Sequence, residues 1–202
     1  MQYPVNLVLD GRPCLVIGGG RVAVRKVEGL LACGARVKVV APRLDPALVQ
    51  RAGVTCEQRR WQPQDLDGAW LVIAATDQEE VNRAVYQAGE RAGIWVNGAD
   101  DPANCSFTLP SVVRRGDLQV AVSTGGRSPA LASWLRRRFE NELGPEYEVL
   151  LDLLATERER LKAAGRSTEG LDWQSALDSD MLGLIRKGDL AHARERLLTC
   201  LS

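Results

Sequence analysis

An α/β fold, with a doubly wound parallel sheet followed by a small mixed segment and a C-terminal helical module, is predicted by three features of the sequence. From Pro13 to Pro42 the chain reads as an apolar run, a glycine turn, a stretch of helical period, another glycine and a Val-rich run, which is a β-α-β unit. Apolar runs and helical stretches then keep alternating, the pattern of a sheet covered by helices on both faces. Beyond Pro145 only helical periodicity remains.

Each element has its own signal. Leu15–Ile17 and Val37–Val40 are continuously apolar, as strands buried on both faces require. Between them Val22, Val27, Leu30 and Leu31 recur near helical spacing from Arg21 to Cys33, and Gly34 supplies a left-handed stop. Asp45–Ala52 reads as helix, Val54–Gln58 and Trp70–Ala75 as strands, Gln78–Ala92 as helix and Ile94–Val96 as strand. Past Pro110 come an alternating strand at Leu118–Ser123, a turn at Gly125-Gly126 and a basic helix from about Ser128 to Leu143. The expected organisation is a nucleotide domain over 1–112, a mixed segment over 113–144 and a helical module over 145–202, the last interrupted at Gly165–Gly170 and Lys187-Gly188.

Composition excludes several classes of function. The 202 residues, 45% hydrophobic, support one ordinary domain and a smaller appendage. Lys+Arg and Asp+Glu are both 26, so no overall positive field gathers nucleic acid or a membrane surface, and an anionic ligand needs a local cluster. No apolar run approaches the roughly 20 residues that span a bilayer, and the start lacks a basic segment followed by an apolar core, so a cytoplasmic protein is expected. Five scattered cysteines with no CxxC pair read as reduced, mostly buried thiols. One histidine, His192, rules out a multi-histidine metal site, and no metal ligand set is visible; His192 itself reads as a solvent-facing helix residue.

Gly18-Gly19-Gly20-Arg21-Val22-Ala23 matches the G-x-G-x-x-G/A fingerprint directly after a strand and at the opening of a helix, where dinucleotide binding needs it. Gly18 permits the tight turn, Gly20 lets a pyrophosphate approach the backbone, and Ala23 lets helix pack on strand. The free N–H groups of the helix N-terminus then face the phosphates. The second strand ends Val40-Ala41-Pro42-Arg43, with no acid at its tip for the ribose hydroxyls. Arg43 reads either as a partner for a 2′-phosphate or as a solvated loop residue, so the loop leaves NAD and NADP both open. At the end of the fourth strand Thr76 is a candidate cofactor contact, while Asp77 reads as the cap of the following helix. After the fifth strand, Asn97 to Pro102 places an amide and the carboxylates of Asp100 and Asp101 at the same sheet edge.

Five ordered motifs, GGGRVAVRK, VVAP, AATD, VNGADDPANCSFTLPS and LQVAVSTGGRSPALA, resemble those of the precorrin-2 dehydrogenase/siroheme synthase family through about residue 140. The helical remainder resembles that family only loosely. The resemblance implies a Rossmann-like domain, a dimerisation and substrate segment at 113–144, a homodimer, and oxidation of precorrin-2 to sirohydrochlorin with NAD. Ferrous iron insertion is a second activity of some members. It implies that the family's essential aspartate falls on Asp100, and its cofactor contacts on Arg21, Val22, Pro42 and Arg43, with Gly18, Gly19, Gly20, Thr76 and Asn97 around them. A family that holds its cofactor without a ribose-binding acid accounts for the bare second-strand tip. The chain lacks the long additional domain of members with methyltransferase activity, so a partner enzyme is expected to supply precorrin-2.

The chemistry gives these placements a reason. Aromatising a reduced tetrapyrrole removes a hydride and a proton, so a nicotinamide face and a general base must meet one macrocycle carbon. Asp100 is the candidate base, with holding the loop as its alternative role; Asp101 before Pro102 reads as a turn former. The polycarboxylate needs cations, for which Arg114, Arg115 and Arg127 are candidates, with Arg136-Arg137-Arg138 farther along the helix. Gly125 and Gly126 offer backbone amides, and Thr124 and Ser128 offer hydroxyls, although Ser128 before Pro129 is also a natural helix cap. Two other readings stand beside the enzyme: a non-catalytic NAD(H)-binding redox sensor, and a protein that is mainly a chelatase. Fold alone does not separate them.

Overall fold

The computed structural model describes residues 2–201, which divide into two compact units with the boundary between Leu109 and Pro110. In the first unit the elements are β1 (Pro13–Ile17), α1 (Arg21–Leu31), β2 (Arg36–Val40), α2 (Pro46–Val49), β3 (Val54–Glu57), β4 (Leu71–Ala74), α3 (Glu79–Ala92) and β5 (Trp95–Gly98). Short 3-10 turns lie at Pro63–Leu66 and Pro102–Asn104. The five strands are parallel in the order β3-β2-β1-β4-β5, so the winding reverses between β1 and β4. That reversal opens a crevice at the carboxyl ends of the central strands, where α/β sheets take their ligands. The predicted Rossmann-like sheet is present.

β1 is apolar without alternation because both its faces are covered. Cys14 and Val16 join Ala23, Val27 and Leu30 of α1 in one layer, together with Phe107 from the segment after β5. Leu15 and Ile17 pack in the opposite layer with Val85 and Ala88 of α3. The outer edge of β5 is covered by that same returning segment: Val96 N–H donates to Ser106 Oγ at 2.7 Å, Ser106 N–H donates back to Val96 O at 2.8 Å, and Asn97 bridges to Cys105.

Several local expectations need correction. α2 is a single turn, and Asp45 caps it by accepting from Ala47 N–H at 2.9 Å. α3 starts at Glu79, so Asp77 is not its cap; Thr76 Oγ1 instead accepts from Gln78 N–H at 3.2 Å. β5 runs on to Gly98, which puts Asn97 inside a strand rather than in a loop. The cysteines are free thiols, as expected, but only Cys14 is fully buried and the other four are half-buried.

In the second unit β6 (Ser111–Arg115) and β7 (Leu118–Val122) form an antiparallel hairpin, followed by α4 (Pro129–Glu142), α5 (Glu146–Ala163), α6 (Trp173–Asp178), α7 (Met181–Arg186) and α8 (Leu190–Cys200). The boundary expected near residue 112 falls at Leu109/Pro110, because Ser111–Val113 pairs with Val120–Val122. Helices α5 to α8 close around Leu150, Leu161, Met181, Ile185 and Leu197. Within them Glu157 is nearly buried and is held by Arg160 at 2.7 Å. His192 is solvent-facing, paired with Asp189 at 2.8 Å, which raises its pKa. No helix among the described residues is long and apolar enough to cross a membrane.

Candidate functional site

The glycine turn is built by close approach of backbones. A Cβ on Gly18, whose φ is +121°, would lie 2.2 Å from Ala75 O; one on Gly19 would lie 2.0 Å from Arg43 O. Gly18 N–H donates to Val40 O at 3.1 Å, and Asp45 N–H donates to Gly19 O at 2.8 Å. The turn is thereby clamped between the β2–α2 loop and the end of β4. Gly20 is different: a Cβ there meets nothing within 4 Å. It caps α1 without any side-chain bond, and the first turn of α1 carries no acid. The first N–H groups of α1, at Arg21, Val22 and Ala23, have no partner within the helix and carry a partial positive charge, with no side-chain cap and no acid in the first turn. These are the features a pyrophosphate requires, so the residues fit a dinucleotide.

Around this turn the structure assembles part of the predicted set. Pro42 and Arg43 are exposed on the loop that packs against Gly19. Thr76 borders Gly18 through its backbone, but its hydroxyl is committed internally: it lies 2.8 Å from Asn82 Oδ1, whose Nδ2 donates to Thr76 O at 3.0 Å. Asn82 is buried and locks the β4–α3 turn, a role that sequence reasoning missed because a polar residue in an amphipathic helix reads as solvated. Asn97 is also buried, and its Nδ2 donates to Phe107 O at 3.0 Å, so it ties down the segment after β5.

Asp100 lies on that segment, exposed, and is the one non-glycine residue with positive φ, +61°, among the described residues. The backbone around it is pinned: Asp101 N–H donates to Gly98 O at 3.3 Å, Asn104 Nδ2 to Asp101 Oδ2 at 2.6 Å, and the Cys105 thiol reaches Asp101 O at 3.1 Å. Asp101 is the turn former expected. A further residue, missed from sequence, belongs here: the half-buried Lys26 of α1, whose pKa is lowered by burial and pushed back up by Asp100. Only the tertiary fold joins residues so far apart in the chain.

The remaining predicted residues belong to the second unit. Arg114 and Arg127 are exposed. Arg115 is spent on capping α4: its Nε donates to Leu143 O at 2.7 Å and its guanidinium to Glu140 O at 2.8 Å. Thr124 Oγ1 donates to Ser128 O and accepts from Ser128 N–H, both at 3.1 Å, closing the 124–128 turn in which Gly125 and Gly126 take φ of +62° and +80°. Ser128 Oγ accepts from Leu131 N–H at 3.2 Å as the cap of α4.

A family model described as "Putative NAD(P)-binding" matches residues 5–111, over half of the chain and all of the sheet. The chain belongs to this NAD(P)-binding family. A second model, sirohaem biosynthesis protein central, matches residues 115–142. Siroheme synthase 3 of Aeromonas hydrophila is 41% identical over 96% of this chain, and siroheme synthase 2 of the same organism 42% over 98%. The chain spans 43% of the length of those relatives. A solved structure titled SirC, precorrin-2 dehydrogenase, superposes with a TM-score of 0.71 at 25% identity, covering 98% of both chains. The NAD(P)-binding chain thus shares sequence with siroheme synthases and its fold with SirC over 98% of both chains, farther than the five motifs, which carried the resemblance only through about residue 140.

Proposed function

We propose that this chain oxidises precorrin-2 to sirohydrochlorin with NAD. The observation that carries the reading is the pairing, at one sheet edge, of an open helix N-terminus fitted to a pyrophosphate with a strained Asp100, in a fold that follows a precorrin-2 dehydrogenase over 98% of both chains. When bound, NAD supplies the hydride acceptor. Gly18, Gly19 and Gly20 shape the phosphate cradle, the amides of Arg21 and Val22 donate to it, and Pro42 and Arg43 border the adenosine end. Thr76 and Asn97 serve by fixing backbone on either side. Asp100 takes the proton lost from the macrocycle carbon as the hydride leaves, the role of a general base.

In the same proposal the substrate carboxylates are held by Arg114 and Arg127 and by the amides of Gly125 and Gly126. Arg115, Thr124 and Ser128 keep that loop and helix in shape. The protein works in the cytoplasm as a homodimer, and ferrous iron insertion is the second activity to assay. The test is anaerobic: purified protein, enzymatically generated precorrin-2 and NAD, following NADH and the sirohydrochlorin spectrum, with Asp100→Ala in parallel. Turnover that disappears in the variant while cofactor binding persists is the expected result. Tight NAD binding with no turnover by the wild type overturns the proposal in favour of a redox sensor.

A further inference from the structure

Asn82 is a polar residue at an apolar station. It stands in the first turn of α3, on the face that buries Val85, Ala88 and Gly89, where helical spacing calls for a hydrophobic side chain. A buried amide is costly unless it is paired, and Asn82 pairs both of its ends with a single residue. Its Oδ1 accepts from Thr76 N–H at 3.2 Å and from the Thr76 hydroxyl at 2.8 Å, and its Nδ2 donates to Thr76 O at 3.0 Å. Helical side chains lean toward the N-terminus, so an asparagine here reaches back over the turn that enters its own helix. The Thr76 hydroxyl also accepts from Gln78 N–H at 3.2 Å, which closes that turn from within.

The turn held in this way is the seat of the glycine turn. A Cβ on Gly18 would lie 2.2 Å from Ala75 O and 3.1 Å from Thr76 N, so Gly18 packs directly on the peptide between Ala75 and Thr76. That peptide is planar and trans, and its N–H and C=O point in opposite directions. Asn82, by accepting the Thr76 N–H on one side, therefore sets the direction of Ala75 O on the other, which is the atom against Gly18. Its bond to Thr76 O fixes the next peptide plane as well. The same strand end is tied to β1 by Ala75 N–H donating to Ile17 O at 2.7 Å, and to the segment after β5 by Ala99 N–H donating to Ala74 O at 2.8 Å. Rotation of the Thr76 peptide would be felt first at the phosphate cradle.

We propose that Asn82 is a positioning residue for the dinucleotide site: through the Thr76 peptide it fixes Ala75 O against Gly18 and so holds the phosphate cradle in its binding shape. The proposal rests on the reading of the glycine turn as the NAD site, and not on the identity of the oxidised substrate. It is tested with Asn82→Leu, Asn82→Asp and Thr76→Val, by calorimetric titration of NAD, amide hydrogen exchange of residues 74–78, and KM for NAD against kcat. Asn82→Leu keeps the branched shape but leaves Thr76 unpaired, and should weaken NAD binding about 30-fold and speed exchange of the Thr76 amide. Asn82→Asp, which keeps both acceptor bonds, should lose only about fivefold, and Thr76→Val, which removes the hydroxyl alone, about threefold. KM for NAD should follow these losses in each variant, while kcat at saturating NAD stays within about threefold of wild type. Unchanged NAD affinity in a folded Asn82→Leu overturns the proposal, as does a fall in kcat without weaker NAD binding. Should Asn82→Leu not fold, unchanged affinity in both of the milder variants overturns it equally. A wild type that binds no NAD overturns the reading of the glycine turn itself, whereas wild-type binding that is indifferent to Asn82 overturns this proposal alone.

Discussion

Two glycine turns precede two helices in this chain, and they are made for opposite ends. Gly18 and Gly19 are required by their surroundings, because a side chain at either would strike backbone. Gly125 and Gly126 are required by their own backbone angles, with open space around both. The first turn delivers a helix capped by bare Gly20, and the second a helix sealed by the Ser128 hydroxyl and by Pro129, which has no N–H to offer. A glycine turn before a helix therefore becomes an anion site only where the helix start is left unsatisfied.

The largest effect that would break this contrast is at Gly18. Gly18→Ala should cost about 3 kcal/mol or more of stability, through left-handed strain and displacement of Ala75, and abolish NAD binding, as read by thermal unfolding and calorimetry. Gly20→Ala separates fold from binding: stability should fall by less than about 1 kcal/mol, while NAD affinity drops on the order of 100-fold because a methyl group enters the phosphate approach. Gly126→Ala is expected to cost about 1–2 kcal/mol from its positive φ and leave NAD affinity unchanged. Ser128→Ala should lose about 1 kcal/mol of helix capping, again without effect on NAD; weaker NAD binding in either variant would erase the distinction between the turns.

The smallest effect compares the units by pH. Asp65, in the 3-10 turn between β3 and β4, is held below the usual carboxylate range by Arg59, as Glu157 is by Arg160. Both folded pKa values are depressed, so their contributions are complete above the unfolded value of about 4 and are lost as pH falls through the folded values. Asp65→Asn and Glu157→Gln should each flatten the acid limb of a stability–pH curve, and an unchanged limb would show that the pairs carry no linkage.

What was legible in the sequence followed from local pattern. β1, α1 and β2 announce themselves because burial on both faces leaves an uninterrupted apolar run and one helical period. β6 was missed because Ser-Val-Val-Arg-Arg has no clean alternation and pairs only with a strand that follows it. Candidate site residues were legible as positions at a sheet edge, not as directions. Thr76, Asn97 and Arg115 read the same whether a polar group faces a ligand or the protein, and all three turn inward. Asn82 gave no signal although its partner Thr76 lies only six residues away, since a polar residue in an amphipathic helix reads as solvated.

The strap over β5 has a consequence for solubility. An uncovered outer strand offers its N–H and C=O groups to any other chain, and parallel sheets are slow to form and exposed meanwhile. Here Ser106 occupies the Val96 groups on the same short segment that carries Asp100. Loosening that segment to admit a bulkier substrate would therefore also unblock a template for intermolecular strand addition, so variants selected for broader specificity in this segment should be screened for aggregation first.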